Sequence, residues 1–270
     1  MKKIFFISVL LFCIILSGCS SNDVDVEKYE LFELEDLPFS EQQVKKINAA
    51  LSSSEENIRF EMSEDKGEIS YNNFNLSWTD EGAGMSMTEK EAISMAEDFL
   101  RSLKILPKDE YFIETSAVGG STLDVAGGTE GETETVCWDV YFANTYNGIK
   151  VYSGDEDEIY EGIRVEIVKY EIKELNYKWS KIIPTGEFLK KESLKSFDQA
   201  KAIFLEERRN KSCCPDHDEM YMEMSIDDVF CEEFYYYEDG ETILCYRLGD
   251  NEDFVNGETM DALTGEMLYF

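Results

Sequence analysis

Apolar residues recur along the chain in two patterns, one typical of helices and one typical of strands. After Ser40 they repeat every three or four positions, and the hydroxyl of Ser40 can cap a helix while Gln43 reaches back to its backbone. The same combination of cap and apolar stripe follows Thr88 and Ser196. We therefore predict three helices, one beginning after each of these residues.

Between the helices, apolar and aromatic residues alternate with polar ones, which predicts strands with one face buried. The pattern covers residues 58–62, 69–78, 111–115, 136–142, 149–152, 163–179, 220–226, 229–237, 243–248, 259–262 and 267–270. A glycine-rich loop is predicted at 117–132 and a chain break at Pro184-Thr185-Gly186. Helices followed by antiparallel strands indicate an α+β fold in which a helix covers each sheet.

The aromatic run Phe234-Tyr235-Tyr236-Tyr237 tests this alternation most directly. Residues two apart on a strand share a face, so Phe234 and Tyr236 are expected on one side and Tyr235 and Tyr237 on the other. One pair is expected in the core, while the exposed pair offers a surface to a partner protein.

The N-terminus has the composition of an export signal. Lys2 and Lys3 precede an apolar run over residues 4–16, which is too short to span a bilayer. Leu16-Ser17-Gly18-Cys19 resembles the lipobox of bacterial lipoproteins. The resemblance implies a signal peptide at 1–18, a diacylated Cys19 carrying palmitate-type chains, and a location on the outer face of the cell membrane. An ordinary thiol after a conventional signal, or an uncleaved anchor, are the alternatives.

The net charge of −33 limits the classes of partner. Such a surface repels phosphate groups, which excludes nucleic-acid binding, and it attracts basic proteins or divalent cations. The alternative is that the acids only maintain solubility. Residues 19–39 are rich in acids and are predicted to form a tether between the membrane and the folded part.

The cysteines and the single histidine do not define a catalytic set. Cys137, Cys213, Cys214, Cys231 and Cys245 either form disulfides with one thiol left over or stay reduced. Cys213, Cys214 and His217 are weak candidates for a metal site, because adjacent cysteines lack the spacing that usually lets two thiolates bind one ion. We predict no enzymatic activity and no cofactor.

Two segments resemble PepSY-type propeptide domains. Residues 142–152 are similar to their strand–turn–strand, and residues 260–267 are similar to their closing hairpin. The order of elements is also similar to the YycH/YycI-type extracytoplasmic regulatory proteins of a cell-wall sensor kinase, although these usually have a transmembrane helix. The resemblance implies an N-terminal α+β unit at 40–85 and tandem PepSY-like (cystatin-like) units at 86–183 and 184–270.

The resemblance further implies a non-catalytic module that binds or restrains a cell-envelope protein, such as a sensor kinase or a peptidase. Candidate contact residues lie in an exposed turn and in the acidic loop after it: Asn147, Gly148, Asp155, Glu156, Asp157 and Glu158. The alternatives are an ordinary hairpin with solvated loops, and an acidic lipoprotein that captures cations or another ligand for a transporter.

Overall fold

A computed structural model describes residues 28–77, 84–120, 134–153, 161–210, 222–238, 240–250 and 258–268. Over these ranges the protein has an α+β fold with three α-helices and a large, mostly antiparallel sheet of eleven strands. The predicted fold class is therefore confirmed at this level.

The three helices are α1 (Glu41–Leu51), α2 (Glu89–Leu103) and α3 (Phe197–Asn210). Each begins at its predicted cap. Ser40 and Thr88 form complete capping boxes with the residues three positions later. Before α3, the backbone N–H of Ser196 donates to Gln199 Oε1 at 2.9 Å, and the N–H of Gln199 donates to Ser196 Oγ at 3.2 Å. Short 3-10 helices span Lys191–Ser193 and Ile226–Asp228.

The strands in chain order are β1 (Lys28–Glu35), β2 (Ile58–Ser63), β3 (Glu68–Asn73), β4 (Tyr111–Gly120), β5 (Glu134–Tyr146), β6 (Ile149–Ser153), β7 (Gly162–Val168), β8 (Glu171–Lys178), β9 (Lys181–Lys190), β10 (Phe230–Glu238), β11 (Glu241–Gly249), β12 (Glu258–Asp261) and β13 (Met267–Leu268). The large sheet has the order β13-β12-β11-β10-β6-β5-β7-β8-β3-β2, and β4 also pairs with β5. β1 and β9 form a separate antiparallel pair.

Strand β5 is the element at which the sheet branches. Along one edge it pairs first with β6, through Asn144–Tyr146, and then with β7, through Trp138–Phe142. Its other edge is occupied by β4. β6 in turn pairs in parallel with β10, which connects the C-terminal strands to the rest of the sheet. The β5–β6 hairpin therefore joins the two halves of the protein.

Each half has its own hydrophobic core. The first lies between α1, α2 and strands β3, β5, β7 and β8, and includes Ile47, Ile69, Leu100, Phe142, Ile163 and Leu175. The second lies between α3 and strands β1, β6, β10, β11 and β12, and includes Phe32, Val151, Phe204, Tyr235, Leu248 and Met260. Residues 40–85 and 86–183 thus contribute to one common core.

The structure differs from the predicted tether over residues 28–35, which form β1. Tyr29 and Phe32 are buried in the second core, and Phe32 is only 1% exposed. The Phe32 ring makes edge contacts with Tyr146 and Tyr235, at centroid distances of 5.1 and 5.0 Å. The acidic residues Glu30, Glu33 and Glu35, which are interspersed among the apolar residues of β1, concealed an amphipathic strand.

Four further local predictions are wrong. Residues 117–120 continue β4 and do not begin a loop. Pro184-Thr185-Gly186 lies within β9, where a register shift against β1 accommodates it. Residues 74–76, and residues 222–225 of the predicted strand 220–226, have no strand pairing.

The alternation in the aromatic run is confirmed, but the expected exposure is not. Phe234 and Tyr236 pack together on one face with Cys245, while Tyr235 enters the second core. All three are nearly inaccessible to solvent. Strand β10 is therefore covered on both faces at these positions, and Tyr235 offers no surface to a partner.

Candidate functional site

The sequence-predicted turn between β5 and β6 is exposed. Asn147 and Gly148 have φ angles of 53° and 81°, so both central residues adopt the left-handed conformation of a type I′ turn. An asparagine followed by glycine is the sequence most compatible with this geometry. A Cβ atom placed on Gly148 would meet no atom within 4 Å, so the tip of the hairpin projects into open space.

The stem of this hairpin is fixed to both halves of the protein. Tyr146, next to the turn, donates its hydroxyl hydrogen bond to Glu30 Oε2 on β1 at 2.6 Å. Burial and the adjacent Glu30 carboxylate raise the pKa of Tyr146 to about 12. On the opposite side of the stem, the Thr145 hydroxyl donates to the carbonyl of Glu110 at the start of β4. The exposed turn is therefore presented on a rigid support.

A buried carboxylate lies below the turn. Glu161 is 0% exposed, and its Oε1 accepts hydrogen bonds from the backbone N–H of Ser180 at 2.6 Å and from Asn144 Nδ2 at 2.9 Å. Its Oε2 accepts from the Ser180 hydroxyl at 2.8 Å. Burial raises the pKa of Glu161, although these hydrogen bonds oppose the shift. The three residues fasten the start of β7 to β5 and to the β8–β9 connection.

Lys150 lies on β6, two residues beyond the turn residue Gly148. Its ammonium group forms ion pairs with Glu114 of β4 and, at 2.5 Å, with Glu232 of β10, and it lies 5.8 Å from the centre of the Phe112 ring. Burial alone would lower the pKa of Lys150, but the two carboxylates outweigh this effect and raise it. One cation thus connects three strands that are distant in sequence.

Aromatic rings continue this face toward Glu161. Tyr152 stacks on Tyr141 with an interplanar angle of 8° and a centroid distance of 6.1 Å, and it meets the edge of Phe234 at 5.3 Å. The Tyr141 hydroxyl donates to the backbone carbonyl of Glu161 at 2.6 Å. Burial, followed by the field of Glu114, raises the pKa of Tyr152. Tyr152 therefore remains protonated near neutral pH and acts as a hydrogen-bond donor to Glu114.

Beyond these rings, the same face of the first half carries paired charges. Arg164 makes two hydrogen bonds with the Asp139 carboxylate, at 3.0 and 3.1 Å. Lys173 pairs with Glu166 at 2.7 Å, and the Cys137 thiol is within 3.5 Å of the same carboxylate. This face is polar and largely neutralised, whereas the opposite face is covered by α1 and α2.

The remaining sequence-predicted candidates fall largely outside the described residues. These are Cys19, Asp155, Glu156, Asp157, Glu158, Cys213, Cys214 and His217. Within the described ranges, Cys137, Cys231 and Cys245 are free thiols, and no cluster of three or more metal-ligating side chains occurs. Asp228 of the acidic pair Asp227-Asp228 accepts hydrogen bonds from the backbone N–H and hydroxyl of Ser225.

The sequence pattern did not indicate a role for four of these residues: Glu114, Lys150, Glu161 and Glu232. The only local signal for Lys150 was a lone lysine between the apolar residues Ile149 and Val151 on a short strand. Glu161 stands immediately before a glycine and a buried strand, a position at which a carboxylate is unusual. Neither signal identifies the partners, which come from other strands.

Comparison with known proteins gives a structural similarity without a functional identification. No protein-family model matches the chain, and no curated protein matches it. A solved structure, that of an uncharacterized protein from Eubacterium rectale, aligns with a TM-score of 0.42 at 11% sequence identity. The alignment covers 90% of this chain and 87% of the other. Among the residues that the structure describes, no helix is long and apolar enough to cross a membrane.

Proposed function

We propose that this chain is a lipid-anchored extracytoplasmic lipoprotein that binds and regulates another cell-envelope protein without catalysing a reaction. The observation that carries the proposal is the exposed Asn147–Gly148 turn, held by side-chain contacts to both halves of the protein. A rigid, solvent-exposed turn on a protein of net charge −33 suits recognition of a basic partner surface, because acidic rims accelerate association with basic proteins.

We also propose that residues 86–183 and 184–270, each belonging mainly to one half, are PepSY-like, cystatin-like units in tandem behind an N-terminal α+β unit at 40–85. In support, each half combines a capped helix with antiparallel strands over one core. The lipobox-like Leu16-Ser17-Gly18-Cys19 supports the anchor. Palmitate labelling tests it, since replacement of Cys19 by alanine removes the thiol that would carry the lipid. Equal incorporation into the wild type and Cys19→Ala would contradict lipidation.

Site-specific photocrosslinking in intact cells tests partner binding. A photoreactive residue at Glu110, exposed beside the turn, is expected to capture one membrane or wall-associated protein. The matched control position is Glu192, which is also exposed but lies on the short 3-10 helix before α3. Capture should be lost when Asp155, Glu156, Asp157 and Glu158 are replaced by their amides. Identical or diffuse products from both positions would contradict the proposal, and saturable calcium binding in calorimetry would favour cation capture instead.

A further inference from the structure

Among the described residues, strand β4 leaves one long edge of the sheet without a partner. It has ten residues, from Tyr111 to Gly120, and all its pairing is with β5. No other strand in the described ranges pairs with its outer edge. Residues 116–119 are exposed. Alternate backbone N–H and C=O groups of such a strand point outward and can accept an additional strand.

The other free edges are protected in ways that β4 is not. β2 carries exposed Arg59 and Glu61, and β13 has only two residues. β9 contains Pro184 and two lysines, and its partner β1 begins at a lysine. Charges, proline and short length are the usual means by which proteins prevent strand addition. β4 has no lysine, arginine or proline, and its register is regular from Tyr111 to Val118.

Side chains along β4 combine apolar and acidic character. Phe112 and Val118 are 44% and 39% exposed, and with Glu114 they lie on one face by the alternation of the strand. Asp109 and Glu110, both exposed, immediately precede the strand. An incoming strand would therefore meet apolar surface and negative charge at the same edge, the charge coming from Asp109, Glu110 and a Glu114 carboxylate that shares the Lys150 cation with Glu232. Opposite charges on adjacent strands stabilise their pairing.

We propose that the outer edge of β4 accepts an extended segment of a partner protein that carries lysine or arginine at alternate positions. The segment adds to the sheet as a further strand, its backbone pairs with β4, and its basic side chains lie near Glu114 and Glu110. This inference rests on the proposed partner-binding function and specifies its mode. The partner chemistry follows from charge complementarity and from the absence of edge protection.

A peptide-binding experiment on the full chain in detergent tests the inference. The probe is a fluorescent decapeptide of alternating lysine and valine. Its control has the same side chains and charge but an N-methyl group on every backbone amide, which removes the N–H donors of both edges and prevents strand pairing. We expect the control to bind about tenfold more weakly, and we expect slower hydrogen exchange at residues 111–118 only with the first peptide.

A pair of variants separates strand addition from general charge attraction. Ser116→Lys combined with Ala117→Lys places two cations on the β4 edge and is expected to raise the Kd about tenfold. Gln42→Lys combined with Ser54→Lys adds the same charge at exposed sites on α1 and its following loop, and should leave the Kd within twofold.

Four results would overturn the inference. Equal binding of both peptides would indicate electrostatic attraction alone, and unchanged exchange at 111–118 would place the peptide elsewhere. A dimer of the chain with protected β4 amides would assign the edge to a second copy. If the Glu110 crosslink in cells persists in the Ser116→Lys, Ala117→Lys variant, partner binding stands while strand addition fails.

Discussion

The carboxylate of Glu161 accepts hydrogen bonds from both the backbone N–H and the side-chain hydroxyl of Ser180, at 2.6 and 2.8 Å. Replacement by alanine leaves both Ser180 donors buried without this acceptor and leaves the Asn144 amide only the Ser180 carbonyl, so it should lower the free energy of unfolding by about 3 kcal/mol. Glu161→Gln retains one acceptor oxygen and should change the free energy of unfolding by less than about 1 kcal/mol at neutral pH. Urea unfolding measures both, with exposed Glu56→Gln as the control.

The pH dependence of the same variants follows from the raised pKa of Glu161. Because burial raises the pKa of the folded carboxyl, the folded state binds this proton more tightly than the unfolded state. The contribution of Glu161 to the free energy of unfolding is therefore greatest at low pH. It falls as the pH rises through and above the ordinary range of carboxyl pKa values. The stability of the wild type relative to Glu161→Gln should decrease over that interval. A constant difference between the two would contradict the assignment.

Removal of the Lys150 cation should expose a repulsion between two carboxylates. Lys150 is 15% exposed between Glu114 and Glu232, which are each about one-third exposed. Lys150→Met should lower the free energy of unfolding by about 2 kcal/mol, less than for fully buried pairs because solvent screens the carboxylates. Adding Glu232→Gln should restore part of this loss. Lys190→Met breaks the exposed pair with Glu192 and should change stability by less than about 0.5 kcal/mol.

Gly162 and Gly148 provide a matched test of steric constraint. Both have positive φ angles, of 139° and 81°. A Cβ on Gly162 would lie 2.5 Å from the Tyr141 hydroxyl and 2.8 Å from the Phe142 carbonyl, whereas Gly148 has open space around it. Gly148→Ala should cost only the conformational strain, about 1 kcal/mol. Gly162→Ala should cost at least about 2 kcal/mol more in thermal or urea unfolding. Equal losses of unfolding free energy in the two variants would indicate that the Tyr141 side chain moves away from residue 162 at little energetic cost.

The three described cysteines should be unreactive in the folded protein. Burial raises the pKa of the Cys137 and Cys231 thiols to about 12, and burial raises that of Cys245 as well. The thiolate is the reactive form, so labelling by a maleimide near pH 8 should be at least about 100-fold slower than at an exposed Ser54→Cys thiol. Peptide mapping by mass spectrometry identifies each site. Rapid labelling of Cys137 before unfolding would contradict the prediction.

Phe32 should stabilise the second half although it lies in a segment that resembles a tether. Its ring is buried between Tyr146 and Tyr235, so Phe32→Ala should lower the free energy of unfolding by about 4 kcal/mol. Leu37→Ala, at an exposed site just beyond β1, should change it by less than about 0.5 kcal/mol. Similar effects of the two substitutions would mean that β1 is not part of the folded body.

Features set by local chemistry could be predicted from the sequence. The starts of α1, α2 and α3 followed from hydrogen bonds between residues three apart. The opposite orientation of Phe234 and Tyr235 followed from the alternation of a strand. The Asn147–Gly148 turn followed from the conformational freedom of those two residues. In each case the determining contacts lie within a few positions along the chain.

Features that depend on distant strands could not be predicted in this way. β1 carries acidic residues throughout, and only its packing against β9 and β11 explains the burial of Phe32. Glu114, Lys150 and Glu232 meet because β4, β6 and β10 approach through pairing that joins both halves of the sheet. Tyr235 is buried because strand β10 is covered on both sides, which periodicity alone does not reveal.

The position of β1 also has a consequence for the order of folding. Strand β1 is synthesised early, but it pairs with residues 181–190. Its Tyr29 and Phe32 contact Glu233 and Tyr235, which are synthesised much later. Helix α1 and the β2–β3 hairpin can form from neighbouring residues, whereas β1 must wait until most of the chain is present. Closing so large a loop is slow. Strand β1, which precedes every other described element, is therefore expected to be among the last to acquire its native contacts.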